Sequence, residues 1–85
     1  MPWIIEETDD CGVHWQRAEL TYCYGHLRVA LLEALEIIKD EWRPPGHSLR
    51  LLTQAVQGES VAYYWERGIR VVRLDHASRE ESSSW

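Results

Sequence analysis

The sequence predicts a small α+β domain: one amphipathic helix packed on an antiparallel sheet of about four to five strands, in the approximate order β-β-α-β-β-β, followed by a polar C-terminal tail. Three observations carry this expectation. Apolar residues recur at helical spacing between positions 27 and 42. Two β-rich segments flank Arg67-Gly68. The length, 85 residues, supports a single core, since a chain of this mass buries roughly 60–65% of its unfolded surface. The expected organisation is one domain over 1–75 and a tail over 76–85.

Taken in order, Trp3-Ile4-Ile5-Glu6 reads as a short strand, and Thr8-Asp9-Asp10-Cys11-Gly12 as a turn by composition. Residues 13–23 mix β-favouring Val13, Trp15, Thr21 and Tyr22 with a helix-tolerant centre, and read as a strand returning on the first. From 27 to 42, Leu27, Ala30, Leu31, Ala34, Leu35, Ile38 and Trp42 form one helical stripe, widened by Leu32 and Ile37. Gly25 or His26 must begin that helix, and Pro44-Pro45-Gly46 ends it, because proline lacks the amide donor. Residues 48–57 are read as a strand from the alternation of Leu49, Leu51, Thr53 and Ala55. The competing reading is a short helix capped by Ser48 and stopped by Gly58. The segments 61–66 and 69–74 then form a hairpin with Arg67-Gly68 as its turn and Glu66 opposite Ile69. That register sets Val61, Tyr63 and Trp65 beside Val72 and Leu74 on the face expected to meet the helix.

The charge is −5, from fourteen acids and nine bases, and it is unevenly spread. Residues 1–42 hold nine acids and three bases, whereas residues 43–85 hold five and six. A general nucleic-acid binder needs a basic excess, because phosphate neutralisation supplies most of its affinity, so that class is disfavoured. No apolar run approaches the roughly 18 residues of a membrane span. The first seven residues lack the basic and apolar segments of a signal peptide. With two cysteines and no disulfide framework, the expected setting is the cytoplasm.

Cys11-Gly12-Val13-His14 and Cys23-Tyr24-Gly25-His26 repeat a C-x2-H pair. Thiolate and imidazole suit tetrahedral zinc, and four such ligands would close a structural site joining the first turn to the start of the helix. An unbroken strand between the pairs would separate them by about 33 Å, so the chain must bend for one ion to serve both. Otherwise Cys23 is a buried, inert residue and Cys11 a loop residue. As a nucleophile, Cys23 is better placed than Cys11, which follows Asp9 and Asp10, but no nucleophile motif surrounds either. Every glycine stands alone, so no phosphate loop is present.

Glu33, Glu36 and Asp40 line one outward flank of the helix, with Arg28, Lys39 and Arg43 along the other. Exposed carboxylates do not perform acid–base catalysis, which needs a pocket that splits their pKa values. They do suit recognition of a basic surface, where opposite potentials speed and orient encounter. The hairpin adds Tyr64 and Arg67, residue types favoured at interfaces. The expectation is a non-enzymatic protein-binding module that uses Glu33, Glu36, Asp40, Tyr64 and Arg67 on a larger protein with a basic, nucleic-acid-handling surface. In size and charge it is comparable to small inhibitors from mobile elements and phages, such as anti-CRISPR proteins and antitoxins, although no family motif is present. The alternatives are a zinc domain through Cys11, His14, Cys23 and His26, and a single-stranded nucleic-acid binder through the C-terminal hairpin with Tyr64, Arg67 and Arg73 as readers. A second copy covering the sheet would make a homodimer.

Overall fold

The computed structural model describes residues 2–18 and 23–76. Its elements are β1 (Trp3–Thr8), β2 (Gln16–Arg17), α1 (Leu27–Ile37), a π-helical turn (Ile38–Trp42), α2 (Gly46–Glu59), β3 (Val61–Tyr64), β4 (Arg67–Arg73) and a 3-10 turn (Leu74–His76). Among the described residues the strands form one antiparallel sheet in the order β2-β1-β4-β3, with α1 and α2 packed on one face. The α+β class is therefore present with a four-stranded sheet. The expected tail lies outside the described residues beyond His76. No helix among the described residues is long and apolar enough to cross a membrane.

The first strand runs two residues further than expected, to Thr8. The returning segment touches β1 twice. Glu6 pairs with Arg17 and Glu7 with Gln16, and further on Trp3 and Tyr24 exchange backbone hydrogen bonds at 2.7 and 2.8 Å. Residues 19–22 of the expected strand lie outside the described residues.

The long helix forms where its stripe places it. His26 sits at its N-cap in an extended conformation, and Ala30, Ala34, Ile37, Ile38 and Trp42 are buried. Its last turn widens: the Arg43 amide donates to the Ile38 carbonyl at 3.2 Å, five residues back. Arg43 then adopts a left-handed conformation and the two prolines prevent continuation.

Residues 48–57 are helical, which corrects the strand reading. Leu49, Leu52 and Val56 follow helical spacing and pack into the core, whereas Leu51, inward in the alternating pattern, is 63% exposed. The helix also starts before Ser48, with Pro45 at its N-cap, and ends on left-handed Ser60, not on Gly58.

The hairpin forms with its turn two residues earlier than expected. Tyr64 pairs with Arg67 across Trp65-Glu66, and Trp65 takes the positive φ of 58°. Gly68 is thus a strand residue, required for close approach. A Cβ there would meet Tyr63 ring carbons and the Thr8 methyl at 2.8 Å. The face towards the helices is also reversed. Ala62, Ile69 and Val71 are buried with Ile5, whereas Tyr63 and Trp65 are exposed.

Candidate functional site

Glu33, Glu36 and Asp40 are all exposed on the outer flank of α1 and the π-helical turn. Spacings of three and four residues set them on one side of the helix. Among the described residues none of the three carboxylates makes a hydrogen bond or ion pair. Val29 and Leu32 are exposed on the same helix, at 48% and 54%, so the flank has apolar as well as acidic character.

The π-helical turn carries this flank to the hairpin. Trp42 is held in the core, and the Arg67 guanidinium stands 5.4 Å from its ring centre. Tyr64, paired with Arg67 across the turn, is half-buried against the core, and its ring meets Trp65 edge-on. Trp65 is 81% exposed. The structure therefore gathers the C-terminal end of the acidic flank with Tyr64 and Arg67 at one end of the sheet. Of the three acids, Glu33, about two and a half turns from Trp42, lies farthest from that junction.

A cleft of about 120 Å³ opens at this end, lined by Glu7, Asp9, Gln16, Trp42 and Arg67 among others. Glu7 is half-buried. Burial pushes its carboxyl above the ordinary range and the neighbouring charge of Glu41 adds to the rise, against the pull of Arg67. Glu7, Glu41 and Trp42 were absent from the sequence-based site. Alternation along β1 was the available signal for Glu7, since it shares a face with buried Ile5.

On the opposite face, Glu6 is fully buried and accepts from Arg70 Nε at 2.8 Å and Nη2 at 2.6 Å. The Arg70 guanidinium also lies 4.2 Å from the Trp15 ring centre, and Trp15 meets Tyr63 edge-on at 6.0 Å. This cluster covers part of the sheet back, which the sequence reading left half-apolar and open.

The four residues of the C-x2-H pairs take separate roles. His14 Nδ1 lies 2.7 Å from Asp10 Oδ2. Cys23 is exposed, not buried, and its Sγ accepts from Arg17 Nη2 at 3.6 Å. Cys11 is an exposed residue of the first turn, and His26 occupies the N-cap position of α1 without a side-chain capping bond. Among the described residues no group of three or more Cys, His, Asp or Glu side chains is gathered so as to hold a metal ion. Of the arginines expected to read phosphate, Arg67 stacks on Trp42 and Arg73 Nε lies 3.6 Å from Asp75 Oδ1.

Compared with known protein families, characterised proteins and solved structures, the chain has no match.

Proposed function

We propose that this chain is a non-enzymatic protein-binding module, an inhibitor or antagonist that docks its acidic helix flank on a basic surface of a larger protein. The observation that carries the reading is the state of Glu33, Glu36 and Asp40: exposed, side by side and, among the described residues, without internal partners. Carboxylates already held in internal ion pairs would have little left for a partner. Val29 and Leu32 supply apolar area that the flank can bury at the centre of an interface.

A stable interface takes about 20–30 residues from each side, more than one helix flank provides. The hairpin turn, brought beside the flank by the Arg67–Trp42 stack, extends the surface with Tyr64 and Trp65. A basic channel of a nucleic-acid-handling protein is the partner surface of matching charge. A reducing cytoplasm suits the two free cysteines.

The test is capture followed by reconstitution. The tagged chain is used to isolate a partner from its native lysate, and the complex is rebuilt from the two purified proteins. Glu33→Lys/Glu36→Lys/Asp40→Lys should abolish the rebuilt complex while leaving the circular dichroism and melting curve unchanged. A folded triple variant that binds as tightly as the parent rejects the flank as the docking surface.

A further inference from the structure

We propose that the cleft beside Trp42 is a seat for an arginine side chain of the partner, and that Arg67 is the placeholder it displaces. The proposal rests on the protein-binding reading above and assigns the chemistry of one contact within it.

Two cation–π stacks flank the sheet, one on each face, and they differ. Arg70 lies over Trp15 and is locked, because buried Glu6 takes both its Nε and its Nη2. Arg67 lies over Trp42 at 5.4 Å, is exposed, and makes no hydrogen bond or ion pair among the described residues. Besides the indole, the charge of Glu7 attracts this guanidinium, but among the described residues no hydrogen bond fixes it in place. Such a group can swing into water at little cost, leaving the ring face open.

The charge around the ring favours a cation. Glu7 and Asp9 line the cleft, the charge of Glu41 adds to the negative potential at Glu7, and Arg67 is the base among the lining residues. A partner cation seated there would relieve the repulsion between Glu7 and Glu41. At about 120 Å³ the cleft has room for one side chain, not for a folded segment. Arginine fits better than lysine. Its flat, weakly hydrated guanidinium stacks on indole and presents N–H groups in its plane to carboxylates at the rim. Arg67 demonstrates the stacking part of that pose within the chain itself.

The test uses the full, 15N-labelled chain titrated with the peptide acetyl-Gly-Arg-Gly-Arg-Gly-amide, with the lysine version as comparison. The arginine peptide should move the Trp42 indole N–H and the Arg67 Nε–H resonances, and bind about two- to fivefold more tightly than the lysine peptide. Arg67→Ala should tighten binding of the arginine peptide, since it empties the seat and removes a like charge. Arg67→Gln, which keeps an extended side chain, repeats the comparison if the alanine variant loosens the hairpin. Glu7→Gln/Glu41→Gln should weaken it. An unmoved Trp42 signal, or unchanged or weaker binding on removing the Arg67 charge, overturns the proposal. The peptide reads the seat alone, whereas charge reversal of Glu33, Glu36 and Asp40 reads the flank alone, so either can fail while the other stands.

Discussion

Arg70 closes two of its nitrogens on a single carboxylate oxygen of Glu6, 64 residues away in the chain. The pair joins β1 to β4 at directly opposed positions in the centre of the sheet. Glu6 is fully buried, and the Trp15 ring lies against the Arg70 guanidinium that bonds it.

Removing Arg70 takes two hydrogen bonds from a fully buried carboxylate. Arg70→Met should cost about 2–4 kcal/mol in urea unfolding, discounted from the fully buried case because Arg70 keeps some exposure. Replacing both, as Glu6→Leu/Arg70→Met, should recover most of that loss, since desolvation of the pair offsets much of its attraction. Equal destabilisation by the single and double variants would contradict this account.

Two glycines should respond in opposite directions. At Gly68 a methyl group has no room beside Tyr63 and the Thr8 methyl, so Gly68→Ala should cost about 1–3 kcal/mol. Gly58, in the last turn of α2 with nothing within 4 Å of an added Cβ, should gain about 0.5–1 kcal/mol as Gly58→Ala. Thermal melts of the two variants decide the matter.

The first turn is held by Thr8 and Asp10. The Thr8 hydroxyl donates to Asp10 Oδ1 at 2.6 Å and accepts from the Gly12 amide at 3.1 Å, while Asp10 accepts from the His14 amide at 2.9 Å. The Thr8 hydroxyl, then the His14 amide and ring, hold the Asp10 carboxyl well below the usual carboxylate range. A lowered carboxyl stabilises the fold above its unfolded pKa, near 3.8, and the benefit disappears as pH falls through the folded value. Asp10→Ala should therefore destabilise at neutral pH and lose its effect in strong acid. Thr8→Val, at a buried position, should cost about 1–2 kcal/mol.

Glu7 has the opposite sign. Its raised carboxyl keeps a proton to higher pH in the folded chain than in the unfolded one. The resulting stability is complete below the unfolded pKa, near 4.5, and is lost as pH rises through the folded value. Glu7→Gln should raise Tm at neutral pH, and the gain should vanish towards acid pH. A variant that lowers Tm at neutral pH would show that Glu7 is held by attraction to Arg67, not strained by burial and Glu41.

Legibility in the sequence followed the strength of the local signal. The stripe from Leu27 to Trp42 was long enough to define a helix, and the acids on its outer side were therefore placed correctly. Residues 48–57 were not, because Leu49 and Leu51 fit alternation as well as the helical period until packing selected Leu49, Leu52 and Val56. Gly68 was misread because a glycine required for close approach looks, in sequence, like a glycine of a turn. The buried Glu6 and the Arg67–Trp42 stack depend on partners far along the chain, which no local pattern reports.

Hydrogen exchange on the purified complex tests the central claim most directly. Docking through the acidic flank predicts slowed exchange over residues 28–43 and at the turn around Arg67, with the sheet back near Trp15 and Tyr63 unchanged. Protection confined to the sheet back, with the helix exchanging as it does in the free protein, would contradict it.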